Sequence, residues 1–176
     1  MNSKSYKKLL APELTKSVLM AAAIYLIAYE LLKSSIIEEI RKFYFVGAGY
    51  ENPAMQRHYA SEVLSLDKSV FVASCRWLRK VDAITNEDIQ MILNLRELRN
   101  KIAHQLPEFL VDDDINITVS DLVKMKEILE KINSGWIREV ELAANPDFVH
   151  LDHEELETLE AYSGLIVVSY LIEAWS

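Results

Sequence analysis

Arg99, Asn100 and His104 are the residues of this chain whose types and spacing suit them to work on a phosphodiester. On a helix Asn100 and His104 stand four apart and therefore one above the other. Arg99 lies one step round from Asn100, above the small Ala103, so the arginine, amide and imidazole border one open shallow patch. A histidine exchanges protons near neutral pH and can serve as acid or base. A guanidinium stays charged and offers a fork that fits a phosphate and its developing negative charge. Asn100 would hydrogen-bond the phosphate or orient the imidazole. A plainer arrangement uses the same residues: Arg99 bridges a carboxylate, and His104 caps the last carbonyls of its helix, where a partial positive charge is favoured.

The helix that must position them begins at Thr85-Asn86-Glu87-Asp88, a threonine cap followed by acidic residues in the positively polarised first turn. Ile92, Leu95, Leu98, Ile102 and Leu106 form its inward stripe, and the spacing predicts an end at His104 or Gln105, by Pro107 at the latest. Arg96 and Lys101 share this helix and are further candidates for contacting nucleic acid. Glu30, which interrupts an apolar helix, is a candidate partner that would pair with Arg99 in the core and fix the guanidinium; otherwise it lies at the edge of its own helix face.

Leu95-Arg96-Glu97-Leu98-Arg99-Asn100-Lys101-Ile102-Ala103-His104 resembles the signature of HEPN domains, in which an arginine is followed by a polar residue, most often asparagine, and then by a histidine. Four residues separate Arg99 from His104, and the motif stands late in a helix of an α-bundle, where that family carries it. The specific part of the likeness is about ten residues long. It implies metal-independent endoribonuclease activity without a cofactor, at a site assembled from two subunits of a homodimer. Arg99, Asn100 and His104 would be the catalytic residues, and RNA, not DNA, the substrate. In that family such toxins or defence effectors are often paired with a small nucleotidyltransferase-like antitoxin. Two competing expectations remain: a HEPN-like dimer that binds RNA or a protein partner without cutting, and a purely structural or regulatory helical protein.

The surrounding pattern is that of an all-α, up-and-down bundle of four to five helices in one domain over residues 1–176, with 1–12 a mobile lead-in. Hydrophobic residues make up 51% of the chain, while only four glycines and four prolines punctuate it, which favours long helices over strands and tight turns. A first helix from Glu13 to about Phe45 presents Leu14, Val18, Ala21, Tyr25, Ala28, Leu32, Ile36 and Ile40, with a break allowed near Ser34-Ser35 and a stop at Gly47 and Gly49. Asn52-Pro53 starts a short helix through Tyr59. A helix over 61–81 turns Val63, Leu66, Val70, Ala73, Trp77 and Val81 inward and Arg76, Arg79 and Lys80 outward, the last three as an extension of a phosphate-contacting surface or simply a solvated face. A fourth helix runs from Thr118 or Ser120 to near Leu142 on Leu122, Met125, Leu129, Ile132, Trp136 and Val140. A fifth runs from about Asp152 to Trp175, and its apolar second half must be covered by the bundle or by a second subunit.

Residues 1–105 hold 15 basic and 11 acidic side chains, and 106–176 hold 4 and 16, within a net charge of −8. An acidic chain is a poor non-specific coat for nucleic acid, but its basic first half can still meet a phosphate backbone locally. The single Cys75 sits in an apolar run, the setting of an inert buried thiol, and implies no oxidising compartment; a cytoplasmic location is expected. Val18–Leu32, broken by Glu30 and two tyrosines, falls short of a membrane span. His150 and His153 have a spacing seen at metal sites but no second ligand pair, so no metal site is expected.

Overall fold

A computed structural model describes residues 11–45, 47–110, 117–136 and 163–175. All regular structure among them is helical: α1 (Pro12–Phe45), α2 (Pro53–Glu62), a 3-10 turn (Leu64–Leu66), α3 (Val70–Lys80), α4 (Asn86–Phe109), α5 (Val119–Trp136) and α6 (Ser163–Trp175). The expected all-α class holds, with six helices among the described residues once the short α2 is included. The expected extensions of the fourth helix to Leu142 and of the fifth back to Asp152, the segment 1–10 and the His150/His153 pair lie outside the described residues.

α1 is the spine, packed against α3, α4, α5 and α6. It is the one helix among the described residues long and apolar enough to cross a membrane, with a mean hydropathy of 1.5 over its most apolar window. Yet Tyr25, Ala28, Leu32, Ile36 and Ile40 are all fully enclosed by protein, which is the arrangement of a bundle's central helix. Each large side chain so enclosed contributes roughly 1.5–3 kcal/mol. The helix runs unbroken through Ser34-Ser35: Ser35 is buried, and its hydroxyl lies where a side chain on Gly164 of α6 would crowd it. Leu14, expected inward, is 53% exposed in the first turn. Gly47 and Gly49 end α1 with φ of 73° and 76°, which residues carrying a Cβ rarely adopt.

The expected helix over 61–81 is divided among the end of α2, the 3-10 turn and α3. Asn52 caps α2 by accepting from the backbone of Ala54 and Met55, and α2 extends to Glu62. Asp67 then adopts an extended conformation and its carboxylate accepts from the Ser69 N–H at 2.9 Å, a local bond that competes with helix propagation and restarts the chain at Val70. The restart moves Val70 to the outside at 44% exposure, while Val63, Ala73 and Trp77 remain inward as expected. Cys75 is fully buried, and burial pushes its thiol up to about 12, so it is inert.

α4 starts with a full capping box: the Thr85 hydroxyl accepts from Asp88 N–H and the Asp88 carboxylate accepts from Thr85 N–H. The regular helix ends at Gln105, as the spacing predicts, with φ −127° and ψ 25°, and a further helical turn then runs to Phe109. The proline ring cannot follow an unbroken turn, but after the break it stands in a fresh first turn, where its missing N–H costs nothing. Phe109, 1% exposed, anchors this last turn in the core. α4 runs in the same direction as α1, with Tyr25 opposite Leu95 and Glu30 opposite Arg99. α5 runs against both, with Lys131 reaching Asp88 at 2.6 Å. Of the expected α5 stripe, Leu122, Met125, Leu129 and Ile132 are buried. On α6, Val168 is buried and Leu165, Leu171, Ile172 and Trp175 pack on the core, whereas Ile166, Val167 and Tyr170 stay exposed. The bundle therefore covers one face of that helix.

Asp88 ties the start of α4 to α5. Burial acts to raise its carboxyl pKa, but the bonds from Lys131 and Thr85 outweigh burial and hold it below the usual 3.8. A depressed folded value means that the stabilisation is complete above the unfolded pKa and fades as pH falls through the folded one. The urea midpoint should therefore drop on acidification below about pH 4, and Asp88→Asn should flatten that drop while costing about 1–2 kcal/mol at neutral pH. Parallel acid profiles for both proteins would refute this assignment.

Candidate functional site

The site is built where α4 crosses the middle of α1. The Tyr25 hydroxyl, fully buried, donates to the Leu95 carbonyl at 2.8 Å. That carbonyl lies one turn before Arg99, in the position that receives the Arg99 backbone N–H in a regular helix. The α1–α4 register is thus pinned immediately beneath the arginine.

Arg99 emerges from this seam partly exposed. Its Nη2 donates to Glu30 Oε1 at 2.6 Å, its Nη1 donates to Asn100 Oδ1 at 3.3 Å, and its guanidinium lies 5.9 Å from the centre of the Tyr29 ring. Nε is enclosed without a hydrogen-bond partner. The fork is therefore oriented from three sides by an α1 carboxylate, an α1 ring and its own neighbour's amide. The expected Glu30–Arg99 pair forms, but not in the core. Glu30 has a side chain 45% exposed at the edge of α1, and it also accepts from Lys33 at 2.9 Å. The edge setting is therefore the one observed, with Arg99 reaching the carboxylate there. Burial acts to raise the Glu30 pKa, but the bonds from Lys33 and Arg99 prevail and keep it below the ordinary glutamate value.

Asn100, Lys101, Ala103 and His104 are all exposed. His104 occupies the last regular turn, directly before the break at Gln105. Its ring is available to solvent, one turn beyond Asn100. Arg96 lies one turn before Arg99, partly buried, with its guanidinium 5.5 Å from the Phe71 ring centre. Tyr29 and Phe71 are themselves neighbours, 6.3 Å apart. Two arginines of α4 thus rest on an aromatic pair contributed by α1 and α3. Burial pushes the Tyr29 hydroxyl up to about 12, against the opposing pull of Arg96, so it remains a neutral platform. The sequence reading missed Tyr29 and Phe71. Their signal was present in Tyr25 and Tyr29, four apart in an otherwise aliphatic stretch, which place two rings on the face turned to α4.

Arg76, Arg79 and Lys80 are engaged elsewhere. Arg76 meets Asp67 at 3.1 Å and the Leu66 carbonyl at 2.6 Å, Arg79 meets Asp82 at 2.7 Å, and Lys80 meets Glu62 at 2.7 Å. They hold the ends of α3 to the adjoining turns, and the structure does not join them to the Arg99 patch. Two recesses among the described residues, of about 390 and 560 Å³, are lined by residues other than Arg99 and His104.

Comparison of the chain with protein-family models, with curated proteins and with solved structures finds no match.

Because both partners of the Glu30–Arg99 pair reach water, the pair contributes little to stability. Glu30→Gln should lower unfolding free energy by less than about 1 kcal/mol in urea titrations. A loss several times larger would show that the fold needs this ion pair, and would disqualify the variant as a probe of the site.

Proposed function

We propose that the chain is a metal-independent endoribonuclease of HEPN type, acting in the cytoplasm as a homodimer and serving as a toxin or defence effector. The observation that carries this reading is the oriented Arg99 fork, flanked by an exposed Asn100 and an exposed His104 on successive turns of one helix.

RNA carries its own nucleophile. A base removes the proton of a ribose 2′-OH, the oxygen attacks the adjacent phosphorus, the bond to the 5′-oxygen breaks, and an acid protonates the leaving oxygen. The products are a 2′,3′-cyclic phosphate and a 5′-hydroxyl. His104 fits the proton-transfer role because its imidazole is exposed to solvent and can both accept and donate a proton. Arg99 fits the non-bridging phosphate oxygens, whose negative charge grows in the transition state. Asn100 holds the arginine and is near enough in sequence and turn to orient the phosphate. One motif offers a single imidazole, whereas the reaction uses an acid and a base, and a second copy supplies the other.

A surface suited to that second copy lies on α1. Met20, Ala23 and Ile27 are exposed at intervals of three and four residues and lead directly to Glu30; Met20 is 54% and Ile27 50% exposed. That spacing is the seam of a helix packed against another helix. A dimer formed there would bring two Arg99 patches towards each other. A nucleotidyltransferase-like antitoxin is the partner the family resemblance suggests.

One observation favours the alternative of a dimeric module that binds RNA or a protein without cutting: Arg99 is already neutralised by Glu30, and a phosphate must share or displace that carboxylate. Cleavage decides between them. In EDTA the wild type should cut single-stranded RNA to cyclic-phosphate ends, and His104→Ala and Arg99→Ala should each lose about 100-fold or more. Equal cutting by all three, or none by the wild type, would remove the ribonuclease reading. Ile27→Asp should convert a dimer to a monomer in sedimentation and abolish cutting; a fully active monomer would remove the two-subunit site.

A further inference from the structure

The contrast between the two arginines of α4 points to a second binding position. Arg99 is compensated by Glu30, whereas Arg96 has no carboxylate partner among the described residues. Its guanidinium rests on the Phe71 ring, 5.5 Å from the centroid, and Phe71 is itself held in the core at 6% exposure. Such a ring supports a cation without consuming its hydrogen-bond donors. Arg96 is therefore positioned and still uncommitted, one helical turn from Arg99 and on the same side of α4, where residues three apart place their Cβ atoms about 5–6 Å from each other. Along the helix the order is Arg96, Arg99, Asn100, Ala103, His104, a line about 12 Å long at 1.5 Å per residue. A line of that length accommodates more than one phosphate of an extended strand.

We propose that Arg96 is the anchor for the phosphate neighbouring the scissile one, so that the site takes single-stranded RNA laid along α4 and not a lone phosphodiester. This rests on the ribonuclease reading above and deepens it. Arg96 touches substrate but not the reacting atoms, so its contribution is to binding. It fixes the register of the strand, with the scissile phosphate at Arg99 and the ribose 2′-OH towards His104. Phe71 and Tyr29, whose ring centres are 6.3 Å apart, give each of the two guanidinium groups a ring of its own to rest on.

The test uses the full chain and two kinds of probe. A fluorescent, fully 2′-O-methylated octanucleotide cannot be cleaved and reports binding alone. Arg96→Gln should raise its Kd about 5–10-fold in moderate salt and flatten the dependence of log K on log salt by about 0.7, the share of one phosphate on a single strand. Arg96→Lys should recover the slope, because it restores a charge. In cleavage, Arg96→Gln should raise KM for an unmodified octanucleotide with kcat nearly unchanged, and should leave kcat/KM for a dinucleoside monophosphate, which has one phosphate, at the wild-type value. Wild-type Kd and salt slope in Arg96→Gln would overturn the proposal, as would equal losses on the long and short substrates, or no binding of the octanucleotide by the wild type. If the wild type binds the octanucleotide and Arg96→Gln weakens that binding as stated, but no RNA is cut, the anchor stands and the catalytic reading falls.

Discussion

The register between α1 and α4 is the constraint on which the site depends. It is set by apolar packing along both helices and by one buried polar contact, from the Tyr25 hydroxyl to the Leu95 carbonyl. Burying a tyrosine hydroxyl is unfavourable unless it is bonded. A slide of one helix along the other would strand that hydroxyl in the core, so this bond penalises alternative registers. Four or five residues further along each helix, the same register brings Glu30 of α1 against Arg99 of α4 and Tyr29 under its guanidinium. The buried contact specifies, and the exposed contacts inherit its geometry.

That division explains how a reactive surface can be ordered at small energetic cost. An exposed ion pair contributes little to stability, and a guanidinium over a ring contributes modestly. Neither needs to be strong if the backbone beneath is already fixed. The charges remain near water, where a ligand can compete for them. By contrast, Asp88 is 3% exposed, and its capping box and bond to Lys131 serve the fold. The two acidic residues differ in role because they differ in burial, although both have lowered pKa values and a lysine partner.

The helical class, the α4 start, the caps at Asn52 and Thr85 and most of the inward stripes were legible in the sequence, since each follows from local periodicity or from a side chain bonding its own backbone. Two kinds of feature were not. The break at Asp67 arises from a single carboxylate-to-backbone bond inside an otherwise helical pattern, and apolar spacing on both sides of it masks the interruption. The passage of α4 through Pro107 depends on a tertiary anchor, Phe109, that rewards the chain for resuming after Gln105; a rule about proline alone predicts only the stop. At the site, Arg99, Asn100 and His104 could be named because their relation lies within one helix. The pairing of Glu30 with Arg99 spans 69 positions, and sequence offered it only as one of two settings. The Arg96–Phe71 contact joins two further elements and could not be read from either alone.

The fate of the basic residues carries the same lesson about charge. A count assigns a positive balance to residues 1–105, yet Arg76, Arg79 and Lys80 are each spent on a carboxylate beside α3, and Arg41, Lys42 and Lys33 on acidic residues three positions earlier in α1. Those pairs are local, and their sum leaves little net field on the surfaces that carry them. On α4, Arg96 and Arg99 are supported from beneath by aromatic rings, which orient a cation without neutralising it. Arg96 retains its full charge on such a ring, and Arg99 shares its charge with one flexible, half-exposed carboxylate. A polyanion approaching α4 therefore meets one guanidinium, that of Arg96, with no carboxylate partner among the described residues. The inner side of α4 is locked to α1, which leaves the proposed site on its outer side.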